Sequence, residues 1–515
     1  MAHEHLLRTD LGGALPSGRG QCLLALVHIS DAHVMDAASP ARCEWVELLA
    51  HDPRWRGLLH MHRPQEALTH FALAAHVDRL RADPRAPHSK RLYDLALCTG
   101  DNIDNAQRNE LDMFLALMAG GKARLSAQGC VQQASSELGP GPWPFWCPDP
   151  SVDDPWKARG YPAMDGFIER VSASLHCAGL GLPWASLPGN HDLMRQGTAL
   201  VEPDIEGIAL GGNKLLCQPE GLDAGDLPNL FVDAPARFSQ HAVVPPGVGG
   251  GAGGSSGAVG SGASAAPGVR RVQALAKRRA VSKREWLQAH VERGALGYSA
   301  GHAGEGCADA VIDLANARLI LLDTNHPAGD YQGSIGARQL AWLEERLAEV
   351  DREQGRIAIV ASHHGSAMLV NRRPSANSGI DAMDGGERLH AKAMVSALHR
   401  HPSVVAWLTG HRHVHRVKAH APPPGGAGRG FWEITTASII DWPSQTRAIE
   451  FIRRKDGMME ICCTLQDHGA APGSLAALHW DLAQRFAQDI GPRHARSLQG
   501  NQGDRDVRLL LPAQR

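Results

Sequence analysis

The 515-residue sequence predicts an α/β fold, and three observations carry that expectation. Five short apolar runs (ALVHISDAH, LALCTGDNID, ASLPGNHD, IAIVASHH and VVAWLTGHRH) have the length and the polar or glycine boundaries of buried strands. Segments with a helical apolar period lie between them, where crossover helices belong. Each run ends on residues of metal-ligand type: Asp31 and His33, Asp101 and Asp104, Asn190 and His191, His363 and His364, His411 and His413. In open α/β sheets the site lies beyond the carboxyl ends of the strands, so five such ends can deliver these side chains to one point.

In chain order, residues 1–20 are a tail without an apolar signal core or a twin arginine. The main domain is expected over 21–465. Its first insertion, 34–63, carries His60-Met61-His62, an H-x-H that follows no apolar strand and runs into Arg63-Pro64; a surface or pocket-lining loop is expected there. Pro64 opens and Pro84 closes a helix with Leu68, Phe71, Leu73, Ala75 and Leu80 at helical spacing. A second helix follows Asp104 and stops at Gly120.

The insertion 121–182 is rich in Pro, Gly and Trp. It is too irregular for core and is expected to cap one side of the site. Residues 244–268, almost wholly Gly, Ala, Ser, Val and Pro, form a flexible loop. ADAVIDLANARLILLDTN alternates like a hairpin, and GARQLAWLEERLAEVDREQ is a helix with Leu340, Leu343 and Leu347 on one face. Further strands run to Cys463, and 466–515 is a helical extension with an Arg-rich tail.

A composition of 43% hydrophobic and 21% charged residues suits a large core in one or two domains. The net charge of -2 gives no overall footprint for nucleic acid or an anionic membrane. The densest basic cluster, Lys277-Arg278-Arg279 with Lys283-Arg284, is expected to be the solvated face of a short helix. No run approaches eighteen uninterrupted apolar residues, and the cytoplasm is the expected compartment. None of the ten cysteines forms a C-x-x-C: Cys22, Cys98, Cys462 and Cys463 sit in strand-like runs as buried thiols, while Cys130, Cys147 and Cys177 pair only if the protein is exported.

Carboxylate, amide and imidazole donors together suit Mn, Fe or Zn, and one shared carboxylate can bridge two ions. With D-x-H, GD-x-x-D, GNHD, a His after a strand and GH-x-H in that order from about Cys22 to Cys463, the chain resembles the calcineurin-like metallophosphoesterases. It is most similar to a bacterial branch carrying GDNIDN and TTASIIDWPSQ. The resemblance implies two β-sheets face to face, flanked by helices in a four-layer sandwich. It implies two divalent or trivalent metal ions, one on Asp31, His33, Asp101 and His413, the other on Asp101, Asn190, His363 and His411, with Asp101 as the bridge. His363 is preferred to His364 because it directly follows the strand.

The implied reaction is hydrolysis of a small phosphomonoester or phosphodiester by a metal-bridging hydroxide. His191 then hydrogen-bonds the phosphoryl oxygen or protonates the leaving group, Asp104 orients it, and Asp192 is a structural partner. Asn105-Ala106 replace the Arg-Gly of the protein serine/threonine phosphatases, and Asp104 stands where purple acid phosphatases have tyrosine. Substrate contacts are expected from Asn105, His415, Asp441, Trp442 and Gln445, with Trp442 stacking on the organic group and Trp143 and Trp146 covering it. A structural turn is the competing reading of 441–445. The expected partner is a small phosphoester, with no nucleic acid and no membrane; the sequence says nothing of oligomeric state. The alternative function is a scaffold or partner-binding protein of the same fold, and the intact ligand set argues against it.

Overall fold

The structure, a computed structural model, describes residues 5–13, 20–53, 60–200, 203–218, 268–373, 387–424 and 428–513. From the N-terminus, β1 (Leu6–Arg8) and β2 (Gln21–Ile29) lead through helix α1 (Thr69–Ala82) to β3 (Leu95–Cys98), and helix α2 (Arg108–Ala119) precedes β4 (Trp184–Ser186). The second half opens on the hairpin β5 (Ala310–Leu314) and β6 (Ala317–Leu322), then α3 (Ala337–Asp351), β7 (Ile357–Ser362), α4 (Ala391–Arg400) and β8 (Val404–Thr409). It closes with β9 (Arg416–His420), β10 (Phe431–Thr435), β11 (Thr446–Arg453), β12 (Met459–Gln466), α5 (Leu475–Ile490), α6 (Pro492–Gln499) and β13 (Val507–Leu511).

These elements form a mixed α/β arrangement. A seven-stranded sheet has the order β1-β13-β12-β11-β2-β3-β4, and a six-stranded sheet the order β9-β10-β8-β7-β6-β5. The strands that end on ligand-type residues pair in parallel: Ile29 lies beside Cys98 and Cys98 beside Ser186 in one sheet, Ala361 beside Leu408 in the other. Their carboxyl ends are therefore level, and the loops that follow them leave from one edge. Parallel strands are covered on both faces, which is why they read in the sequence as continuous apolar runs.

The six-stranded sheet shows its two faces directly. Leu319, Leu321, Ile359, Ala361, Ala406 and Leu408 share a core with Leu24 and Leu26 of β2 and Ile449 and Phe451 of β11. Their neighbours Ile320, Leu322, Ala358, Val360 and Trp407 pack instead with Leu343, Leu347 and Val350 of α3 and Met394 and Leu398 of α4, the alternation a pleated strand imposes. On the larger sheet, Phe114 of α2 meets Trp184 of β4 edge-on at 6.3 Å. Helices thus flank both sheets.

Several expectations are corrected. Residues 121–182 are not a cap, because Trp146, Trp156, Tyr161 and Phe167 belong to the main core, and Trp143 and Phe145 pack with Val131 and Leu216. Irregular backbone is buried there because indole N–H groups satisfy its carbonyls: Trp143 donates to Val131 O at 2.8 Å, Trp146 to Pro162 O at 3.1 Å and Trp156 to Pro144 O at 2.9 Å. Both expected tails contain strands: β1 pairs in parallel with β13, which pairs antiparallel with β12. Three- and five-residue runs are too short to show a period. Arg278 is fully buried against Asp36 at 2.7 Å, so the basic cluster is not one solvated face. The Gly/Ala/Ser loop 244–268 lies outside the described residues except for Gly268. All ten cysteines are free thiols. Among the described residues no helix is long and apolar enough to cross a membrane.

Candidate metal centre

Each residue expected to hold metal sits one to four positions past the end of a parallel strand, where the chain turns sharply. Among the described residues ten non-glycine positions have positive φ, and five of them are Asp31 (51°), His33 (43°), Asp101 (49°), His411 (69°) and His413 (51°). A left-handed backbone is uncommon outside glycine, even though Asp and His tolerate it better than most residues, and five such positions in one cluster point to surroundings that over-determine the side chains' aim. Packing enforces the aim: a Cβ on Gly189 would fall 2.2 Å from Asp101 Oδ1, and one on Gly197 would fall 2.4 Å from His191 Nε2.

The turns bring together every residue expected to hold metal. Asp31, His33 and His413 offer ligand atoms within 4.8 Å of one another, as do Asp31, Asp101 and His363. Asp101 Oδ2 lies 3.6 Å from His33 Nε2 and 3.1 Å from His363 Nε2, so one carboxylate oxygen faces both groups. His413 Nε2 is 3.2 Å from His33 Nε2 and 3.4 Å from Asp31 Oδ1. Asn190 Oδ1 is 2.9 Å from His363 Nε2 and 3.1 Å from His411 Nδ1. Ligands about 2.1 Å from a cation stand about 3.0–3.4 Å apart in octahedral or tetrahedral arrangement, which is the spacing found here.

Hydrogen bonds behind the cluster set which atoms face it. His33 Nδ1 contacts Asp104 Oδ1 at 3.0 Å, His413 Nδ1 contacts Asp441 Oδ2 at 2.7 Å, and His363 Nδ1 contacts Thr99 O at 2.7 Å. Since carboxylates and carbonyls only accept, each Nδ1 carries the proton and each Nε2 presents a lone pair inward, a tautomer assigned from its partners. Asn190 Nδ2 donates to Gly197 O at 2.9 Å, which turns its carbonyl the same way. Acceptors therefore face acceptors, an arrangement that a shared cation resolves. Without a cation, protons meet the same demand for positive charge: burial alone would lower the imidazoles, yet Asp101 raises His363 to about 9, and Asp31 and Asp441 raise His413 to about 10, protons that a bound cation would displace. The residues present fit divalent cations.

His364 is placed differently. Its Nδ1 meets Thr324 Oγ1 at 2.9 Å and its Nε2 meets Tyr331 O at 3.1 Å, so both ring nitrogens are engaged away from Asp101. His191 and Asp104 also depart from expectation. The Asp104 carboxylate bonds His33 and Arg42 and stays 3.8 Å from His191 Nδ1, which is satisfied instead by the Asp104 carbonyl at 2.6 Å. Asp104 thus orients His33 with its side chain and His191 with its backbone. Asp192 is a buried acceptor for Gly189 N, Asn102 and Trp286 Nε1, and burial followed by the charge of Asp101 pushes it up to about 7.

A cavity of about 340 Å³ opens on this cluster, lined by His33, Asp101, Asp104, Asn190, His191, His411 and His413. The five expected substrate contacts do not line it. Trp442 packs against Trp480 at 4.9 Å with Ala483, Ala487 and Leu498 of the C-terminal helices. Gln445 donates to Asp467 and contacts His415, which is buried beside Arg447; Asn105 accepts from Gln196 N. Asp441 touches His413, Arg63 and Gln65. Trp143 and Trp146 lie in apolar clusters and cover nothing at the cavity. The remaining wall is Arg42, His60, Met61, Arg63, Gln196, Thr198 and Tyr331. Of these, the sequence marks only the loop around His60-Met61.

Two expected outcomes follow. Trp442→Ala lowers stability by about 3–5 kcal/mol, the range for deleting a buried indole, while leaving KM unchanged; urea unfolding and steady-state kinetics read the two effects separately. Asp441→Ala removes the acceptor that fixes His413 and weakens Mn affinity by about 10- to 100-fold, measured by metal titration.

No model of a known family matches the chain. A stretch of 115 residues is 32% identical to a probable cyclic nucleotide phosphodiesterase of Synechococcus sp. (strain WH7803); it covers 22% of this chain and 39% of the relative, so the match spans well under half of that protein. Among solved structures, a dimetal phosphatase from Danio rerio aligns over 87% of this chain and 97% of its own at 12% identity, with a TM-score of 0.35.

Proposed function

We propose that this chain is a metal-dependent phosphoesterase acting on a small phosphomonoester or phosphodiester, with two cations of the Mn, Fe or Zn kind. The observation that carries this reading is the single oxygen of Asp101 facing two donor groups, with His191 beside them at the cavity wall. In its support, a relative over part of the chain is a named probable phosphodiesterase. We read Asp31, His33, Asp101 and His413 as one ligand group, and Asp101, Asn190, His363 and His411 as the other. Residues 21–465 are read as one domain of two sheets packed face to face, working in the cytoplasm.

When bound, the cations supply charge to the phosphoryl oxygens and acidify the attacking water. The chain's own residues do the rest. Asp104 and Asp441 hold His33 and His413 in one tautomer, and Gly197 holds the Asn190 carbonyl inward. His191 has its Nδ1–H committed to the Asp104 carbonyl, leaving Nε2 for the substrate. Burial keeps its pKa below the ordinary value in spite of Asp101, so at neutral pH the ring is neutral and its Nε2 can take the proton that the attacking water gives up and pass it to the leaving oxygen.

The test is metal analysis of the purified protein together with hydrolysis of para-nitrophenyl phosphate and bis-para-nitrophenyl phosphate under added Mn. Bound metal near two per chain with metal-dependent release of nitrophenol supports the reading. A protein that binds no metal and cleaves neither ester is a scaffold.

A further inference from the structure

We propose that Arg63 is a substrate-binding residue whose guanidinium takes an anionic oxygen of the phosphoester beside the metal cluster. This deepens the phosphoesterase reading and rests on it. The cavity wall contains two arginines, and their surroundings differ. Arg42 is fully committed: Nε donates to Glu44, Nη1 to Asp104, and Nη2 to Glu66 and to the Met61 carbonyl. It is a brace for the carboxylate behind His33.

Arg63 is held only along part of its fork. Nε donates to Asp441 Oδ1 at 2.8 Å and Nη1 to the His60 carbonyl at 3.1 Å, while Nη2 has no acceptor among the described residues. Its side chain keeps 18% of its surface exposed at the cavity. Because the fork is rigid and planar, fixing Nε and Nη1 also fixes where Nη2 points, so the open donor is pre-organised. The fixing partner matters as much. Asp441 binds Arg63 with one oxygen and His413 with the other, tying the guanidinium to a ligand of the cluster through two hydrogen bonds. A charged donor set rigidly beside cation-binding residues is matched by a group with oxygens to spare after the cations have taken theirs, and a phosphoryl group or a neighbouring anion on the same molecule fits.

The experiment uses full-length protein loaded with Mn, wild type against Arg63→Ala, with Mn content measured and inorganic phosphate and pyrophosphate titrated calorimetrically. The expected result is unchanged Mn content with phosphate bound about 10- to 100-fold more weakly, the range for losing one hydrogen bond between charged groups. Weakening by that factor for pyrophosphate alone also supports the proposal and assigns the guanidinium to a second anion rather than the reacting phosphoryl. Loss of Mn from Arg63→Ala overturns it, since the residue would then act only through Asp441. So does wild-type affinity for both anions. If wild type itself takes up no Mn, the phosphoesterase reading fails first and this proposal falls with it.

Discussion

Asp101→Asn is expected to abolish metal-dependent turnover, by about 10³-fold or more, and to leave fewer cations bound. Oδ2 of this residue faces His33 and His363 at once, while Oδ1 accepts the backbone N–H of His191. Burial would raise its pKa, yet the surrounding histidines, His363 foremost, hold the carboxyl well below its ordinary value, so it is a full anion in the cluster. An amide keeps the size and loses the charge. With its carbonyl in the place of Oδ2 it faces both groups without charge and turns N–H2 against the His191 N–H; turned over, it points N–H2 at both groups. Either way several kcal/mol of transition-state stabilisation disappears, each 1.36 kcal/mol being tenfold in rate. Metal content and nitrophenol release measured on one preparation decide it. Two bound metals with wild-type rate would remove Asp101 from the bridging position.

The second large effect is His191→Ala, expected to retain metal and lose kcat by about 10²–10⁴-fold, the span for removing a positioned proton donor. The separation of the two readouts follows from geometry. His191 Nδ1 is occupied by the Asp104 carbonyl, and the ring stands edge-on to His33, 4.6 Å between centroids, at the cavity wall. None of the hydrogen bonds that orient His33, His363, His413 or Asn190 passes through the His191 side chain. Loss of metal in this variant would make His191 a ligand in its own right.

What can be read from the sequence is local. A buried parallel strand and the donors that follow it are contiguous, so the five strand ends and their residues are visible in the order of amino acids alone. Aim is not visible there. The motif pairs Asp104 with His191, whereas its carboxylate bonds His33, because both histidines lie within reach of one carboxylate and only tertiary packing chooses between them. Trp442 offers an aromatic beside a ligand strand, the right chemistry on the wrong side, since the helices that bury it come from the C-terminal segment, whose sequence reads as an appendage. Gln196 and Tyr331 reach the cavity from loops with no period and no motif, so nothing in the sequence marks them, while Arg63 is marked only by the H-x-H that precedes it. Tyr331 lies parallel to His411 at 6.4 Å, a contact between residues that no pattern links. The edge strands escape notice for a different reason: β1 is three residues long and acquires its identity only from its partner.

That partner is made far later in the chain. Synthesis of the seven-stranded sheet runs from one side for β2, β3 and β4, while β11, β12 and β13 emerge hundreds of residues later. The edge of β2 that finally pairs with β11 must wait for most of the chain, roughly twenty to eighty seconds at about 5–20 residues per second. Through that interval the nascent protein carries an apolar strand with open N–H and C=O groups, a template for pairing with another chain. The sheet is thus closed only when β11 to β13 have left the tunnel, and until then the open edge of β2 is exposed to mispairing.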